Sequence, residues 1–285
     1  MPMTNVLPPY VSPEILEAIV SRALQEDLDT GDATLQALGL QDRQLKAQIL
    51  AKEPGVIAGL EVAKRVFLNL DEGLAFEPLT KDGKEVSALQ AIATIEGRAG
   101  VVLSGERVAL NFLMRMSGVA TLTRRFVAAV SHTKAKILDT RKTTPGLRPL
   151  EKWAVLLGGG QNHRLGLFDM ILLKENHIAL AGGVGKALER TLSNNPKRLP
   201  VEIEVRDLDE LKEALAFPVA RILLDNFTPE CIQEAVGLVN AKASLEVSGG
   251  INLENVRQIA ETGVDFVSVG MLTHSAKALD LSLLV

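Results

Sequence analysis

Six short apolar runs in the second half of the chain limit its fold more than any other feature. They are Ile137-Leu138, Met170 to Leu173, Val201 to Val205, Arg221 to Leu224, Leu245 to Val247 and Phe266 to Val269. Each is β-rich and too short for a helix. Between them lie segments with apolar residues at helical spacing: Leu150 to Leu157, Val184 to Leu192, Leu208 to Phe217, Pro229 to Val239 and Leu253 to Thr262. Strands that alternate with helices imply a parallel sheet joined by helical crossovers. No GxGxxG segment comes after the first run, so a TIM-type α/β barrel fits better than a doubly wound sheet. With six strands in place of eight, the barrel is expected to be open or incomplete.

The first half reads differently. Ser12-Pro13-Glu14 starts a helix, with Ser as cap and Pro in the first turn, and Ile15, Leu16, Ile19, Val20 and Leu24 form its apolar face. Glu26 to Thr34 reads as an acidic, solvated turn whose spacing matches no calcium loop. Gln48 to Ala51, Val56 to Ala58, Leu74 to Leu79 and Ala91 to Ile95 are short strands around a helix over Leu60 to Leu70. Clustered strands with few helices indicate a small α+β sandwich domain. Ser104-Gly105 opens a long helix that Ser117-Gly118 is expected to bend or break, with Arg107 in its first turn. The expected division is residues 1–115 for the first domain and 116–274 for the α/β barrel, with 275–285 packing on the first.

The formal net charge of -4 and the lack of a basic tail argue against nucleic acid as a partner. Cys231 is the only cysteine, so no intrachain disulfide forms, and it reads as a small core residue. Met1 to Val11 has no basic end followed by an apolar run, which argues against a signal peptide. No apolar run approaches the ~20 residues that cross a bilayer. A soluble, cytoplasmic protein is expected, with no membrane partner.

The residues just past each apolar run suggest chemistry. These ends are Asp139-Thr140-Arg141-Lys142, Lys174-Glu175-Asn176, Glu204, Asp225-Asn226, Ser248-Gly249-Gly250 and Gly270. In a barrel they converge on the face that carries the active site. Arg141, Lys142, Arg164 and Lys174 suit a small polyanion, because Arg binds carboxylate or phosphate through paired hydrogen bonds and Lys adds a point charge. The glycines at 249, 250 and 270 make either a phosphate cradle or tight turns. Glu204 and Asp225 could hold sugar hydroxyls, carry magnesium through a substrate, stabilise a cationic sugar transition state, or only neutralise the bases. Glu202 alternates with Glu204 and should share its face, deeper in the barrel, where it could pair a basic residue. His163, beside Arg164, can donate a hydrogen bond to an acid group, and Lys174 leaves Schiff-base chemistry open. Arg107 at a helix start opposes the dipole, as a plain surface residue or as part of an anion site.

These segments resemble a known family. DTRKTTPGLRPLEKWAVLLGGGQNHRLGLFDMILLKENHI, with GERVALNFL before it and VEIEV, LLDNF, SGGI and VSVGMLTHS after it, is similar to quinolinate phosphoribosyltransferase from about Glu26 to the C-terminus. The resemblance implies transfer of phosphoribosyl from phosphoribosyl pyrophosphate to quinolinate with decarboxylation, giving nicotinate mononucleotide, pyrophosphate and carbon dioxide, with magnesium. It also implies an open α/β barrel, an N-terminal α/β sandwich domain, and a homodimer or hexamer in which Arg107 reaches the site from the neighbouring subunit. By the same resemblance, Arg107, Arg141, His163 and Arg164 hold the two quinolinate carboxylates. Thr140 joins that substrate-binding set, and Lys142 and Lys174 lie near the pyrophosphate and the reacting centre. Glu204 and Asp225 hold the ribose hydroxyls and magnesium, with no metal ligand certain. Ser248, Gly249, Gly250 and Gly270 cradle the 5′-phosphate. Two alternatives stand beside this reading: a paralogous phosphoribosyltransferase acting on another ring acid, and a Schiff-base aldolase using Lys174.

Overall fold

The structure, a computed structural model, describes residues 7–285; the expectation about a signal peptide falls partly outside them, on Met1 to Val6. In chain order the first elements are α1 (Pro13–Leu28), α2 (Ala33–Leu38), β1 (Gln44–Ala51), β2 (Gly55–Val56), α3 (Leu60–Leu70), β3 (Ala75–Pro78), β4 (Glu85–Val86), β5 (Ala91–Arg98) and α4 (Ala99–Val130). Next come β6 (Lys136–Leu138), α5 (Arg148–Leu157), β7 (Ile171–Leu173), α6 (Glu175–Ala181), α7 (Val184–Ser193), β8 (Val201–Val205) and α8 (Leu208–Ala214). The chain ends with β9 (Arg221–Asp225), α9 (Pro229–Val239), β10 (Ser244–Ser248), α10 (Val256–Glu261), β11 (Phe266–Ser268), α11 (Met271–His274) and β12 (Leu281–Leu284).

These elements form two compact units, both discontinuous in sequence. Among the described residues, one comprises 7–124, 143–159 and 275–285, and the other 125–142 and 160–274. The expected boundary at 115 therefore moves, and residues 143–159, read as the first crossover of the barrel, belong to the first unit. One tie that holds this segment there is the buried carboxylate of Glu151 on α5, which accepts from Arg115 Nε at 3.0 Å. A charge-assisted anchor of this kind is stronger than a neutral hydrogen bond.

The first unit holds an antiparallel sheet in the order β12-β1-β5-β3, with β2 and β4 paired separately. Helix α3 lays Val62, Val66 and Phe67 in the core, where Phe67 stacks on Phe76 at 6.1 Å. On α1, Ser12 Oγ accepts from Ile15 N and the buried face is Leu16, Val20 and Leu24; Ile15 itself is exposed. The segment read as a solvated turn is in part helical: α1 runs on to Leu28, and Asp32 caps α2 by accepting from Leu35 N at 2.9 Å. Helix α4 begins at Ala99, earlier than expected, and runs unbroken through Ser117-Gly118. Ser117 Oγ instead accepts from Ala58 N, and a Cβ on Gly118 would stand 2.1 Å from Lys277 O. That glycine serves the close passage of the C-terminal segment, not a bend. Arg107 consequently sits in the third turn of α4, beyond the reach of the helix-start dipole that its expected position implied.

The second unit holds six parallel strands in the order β6-β11-β10-β9-β8-β7. The sequential first and second strands lie at opposite edges, so the barrel is open between β6 and β7. One isolated bridge, Leu138 to Gln161, extends the β6 edge. Outward residues such as Ile203, Ile222, Leu224, Val247 and Val267 are fully or nearly buried. Residues pointing the other way are mostly polar: Glu202 and Glu204 on β8, Arg221 and Asp225 on β9, Glu246 and Ser248 on β10, and Ser268 on β11, with Leu223 and Phe266 among them. A barrel interior is usually filled with branched apolar side chains. This one is charged, and that sets up the site.

Candidate active site

At the C-terminal ends of the six strands lies a cavity of about 810 Å³, built wholly from the second unit. Thr140, Arg141, Lys142, His163, Arg164, Lys174, Glu204, Asp225, Ser248, Gly249, Gly250 and Gly270 all line it. Of the residues expected to bind substrate, Arg107 alone is not among them; it belongs to the first unit and its side chain is largely exposed.

One wall is basic. After β6 the chain turns sharply, with Thr140 Oγ1 accepting from Lys142 N at 3.0 Å, and Thr273 Oγ1 donates to Lys142 O at 2.8 Å. Gly270 leaves room for the Lys142 stem, since a Cβ there would come within 3.2 Å of Lys142 Cδ. Arg164 donates through Nη1 to Met170 O at 3.2 Å. Burial, and then the neighbouring guanidinium of Arg141, lower the pKa of Arg164. Two guanidinium groups this close repel, and a dianion between them relieves that repulsion. The loop they sit on is shaped by carboxylates: buried Asp139 accepts from His163 N at 2.8 Å and Asn162 Nδ2 at 2.7 Å, while Asp169 accepts from Leu165 N and Gly166 N.

The other wall is acidic. Lys174 Nζ stands 3.3 Å from Glu204 Oε2. The Glu204 carboxyl is raised above its ordinary pKa, by burial first and by Asp225 as a like charge, while Lys174 pulls it down. Asp225 accepts from Ser248 Oγ at 2.8 Å and from Asn226 Nδ2 at 2.7 Å. The turn after β10 requires glycine: Gly249 has φ 95°, and a Cβ there would stand 2.1 Å from Asn226 Oδ1. Gly250 has φ 61° and faces open space, so its backbone stays accessible to an anion.

The floor was not legible as a site. Glu246 and Ser268 line it, with Ser268 Oγ donating to Glu246 and Arg221 Nη1 to Glu246 Oε2 at 2.5 Å; Arg221 also covers the ring of Phe266 at 4.1 Å. The period of two linking Glu246 to Ser248 carried that signal, as it did for Glu202 and Glu204. Asn226, part of the strand-end pattern, also lines the cavity, and His274 is a further lining residue that the pattern passed over.

Fold and cavity together define a barrel enzyme whose one cavity sets a basic wall against an acidic one. Profiles of the Quinolinate phosphoribosyl transferase N-terminal and C-terminal domains match residues 32–117 and 119–284. The chain belongs to the quinolinate phosphoribosyltransferase family. It is 45% identical to a probable nicotinate-nucleotide pyrophosphorylase (carboxylating) of Synechocystis sp., over 99% of this chain and 95% of that protein. It is 43% identical to quinolinate phosphoribosyltransferase (decarboxylating) 1b of Nicotiana tabacum, over 98% of this chain and 84% of that one. The crystal structure of NadC from Streptococcus pyogenes superposes with a TM-score of 0.93 at 40% identity, covering 96% of this chain and 97% of that one. The nicotinate-nucleotide pyrophosphorylase from Francisella tularensis superposes at 0.92 and 42%, with 96% of each chain covered.

Proposed function

We propose that this cavity joins quinolinate to phosphoribosyl pyrophosphate and releases pyrophosphate and carbon dioxide, leaving nicotinate mononucleotide for the synthesis of NAD. The observation that carries the reading is that Arg141, Lys142 and Arg164 line the same cavity as Glu204 and Asp225. The two guanidinium groups, with Lys142, receive the ring dicarboxylate, and the turn at Ser248 to Gly250 together with Gly270 receives the 5′-phosphate. A dicarboxylate and a polyphosphate repel one another, so a cationic wall is needed to hold them at reacting distance. As pyrophosphate leaves, positive charge develops on the ribose, and Glu204 and Asp225 stabilise it and hold the hydroxyls. The ring nitrogen then attacks, forming a pyridinium that accepts the electron pair when the adjacent carboxylate departs as carbon dioxide. Decarboxylation on this account needs only orientation and partial desolvation from the protein.

Magnesium fits the acidic wall by donor type, since it prefers carboxylate oxygen and substrate phosphate. Glu204 and Asp225 would hold it with the diphosphate, and it would neutralise charge on the leaving group. Lys174 serves the pyrophosphate and not a Schiff base: a Schiff base needs a desolvated, unpaired amine, and Lys174 is half exposed and paired with Glu204. We place the enzyme in the cytoplasm as a homo-oligomer, with Arg107 of a neighbouring subunit completing the acid site. Among the described residues no helix is long and apolar enough to cross a membrane.

Calorimetric titration of two variants tests the division of labour. Arg141→Ala should lose quinolinate affinity and keep phosphoribosyl pyrophosphate affinity, and Asp225→Asn the reverse. Equal loss of both ligands in either variant contradicts the assignment, and tighter binding of another ring acid moves the function to a paralogue.

A further inference from the structure

Beneath the basic wall lies a buried cluster that shares His163 and Glu246 with the cavity lining. His163 Nε2 sits between two carboxylates, 3.1 Å from Glu202 Oε2 and 3.4 Å from Glu246 Oε1. Glu202 is fully buried and Glu246 nearly so. Glu246 is further held by Arg221 and Ser268, whereas neither oxygen of Glu202 has a well-aligned hydrogen bond. A buried carboxylate is costly unless charge or a donor compensates it. His163 supplies that compensation at close range, and Arg164 adds an attractive charge from farther off.

The other ring nitrogen settles the tautomer. Arg164 N donates to His163 Nδ1 at 2.7 Å, so Nδ1 carries a lone pair and the proton resides on Nε2, facing the carboxylates. His163, Glu202 and Glu246 also have the separations of a three-ligand metal site. A metal ligand needs its lone pair on Nε2 and its proton on Nδ1, which would collide with the Arg164 N–H.

We propose that Glu202 and Glu246 are positioning residues: they clamp His163 through Nε2–H, and His163 through Nδ1 fixes the backbone of Arg164, which binds the acid. His163 on this account is a strut under the acid site, held from the side that faces Glu202 and Glu246. The effect on acid binding rests on the proposed function; the tautomer does not.

The chain has four histidines, so ring-nitrogen NMR of the uniformly labelled enzyme is readily assigned, with the His163 signal identified by its loss in His163→Gln. The expected spectrum shows Nδ1 bare and Nε2 protonated. In Glu202→Gln the KM for quinolinate should rise about tenfold as the contact that holds His163 weakens, with the KM for phosphoribosyl pyrophosphate unchanged. If that variant does not fold, Glu246→Gln is read in the same way. A proton on Nδ1 in the wild-type enzyme, a metal bound at Nε2, or an equal rise in both KM values overturns the clamp. An enzyme that shows the expected tautomer yet does not turn over quinolinate refutes the proposed function while upholding the clamp.

Discussion

Lys174 and Glu204 show how single side chains set the pH dependence expected of this site. Burial raises the Glu204 carboxyl, so it keeps its proton to a higher pH than an ordinary glutamate and becomes a useful anion only above that point. Activity should therefore fall on the acid side at a pH above the usual carboxylate range, and Glu204→Gln should remove that limb along with most of kcat, by about a hundredfold or more. Lys174 pulls the same carboxyl down. Lys174→Met should accordingly move the acid limb to higher pH in a pH–kcat profile, and a shift to lower pH would contradict the pairing. At this scale the sequence was informative where a charged residue ended an apolar run, as at Lys174, Glu204 and Asp225. It was silent on Arg221, whose role depends on which strands become neighbours, and for Glu246 it held only the period of two that links it to Ser248.

At the scale of elements, two buried features carry stability predictions. Gly118 lies against the Lys277 carbonyl, and Gly118→Ala would force α4 and the C-terminal segment apart. The expected cost is about 1–3 kcal/mol by thermal or denaturant unfolding. Asp82 accepts from Leu60 N at 3.1 Å at the start of α3; the residue is only partly buried, but its carboxyl is enclosed, and burial raises it to about 6. A raised carboxyl favours the protonated folded state, so its contribution is full at acid pH and is lost as pH rises through about 6. Asp82→Asn keeps a capping oxygen and should gain about 1–2 kcal/mol at pH 8 relative to wild type, with the difference vanishing near pH 4. The βα alternation was readable because helical and strand periods differ, and Leu60–Leu70 was read with its observed bounds. Helix α6 was missed because it starts directly after Lys174, where the polar strand end masked its onset. The placement of α5 was missed because ties such as that of Glu151 to Arg115 reach 36 residues back.

For the whole molecule, the six-strand count indicated an open barrel before any pairing was known, and the observed order leaves β6 and β7 unpaired with each other. Arg107 offers a test of assembly. If a neighbouring subunit supplies it, mixed oligomers of Arg107→Ala and Glu204→Gln chains should recover activity that neither parent shows, and no recovery after subunit exchange would refute a shared site. The central claim is the reaction itself. Purified protein with quinolinate, phosphoribosyl pyrophosphate and magnesium should release carbon dioxide and pyrophosphate in equal amounts, and nicotinate in place of quinolinate should give little turnover. Pyrophosphate without carbon dioxide, or no pyrophosphate with any ring acid, would contradict it.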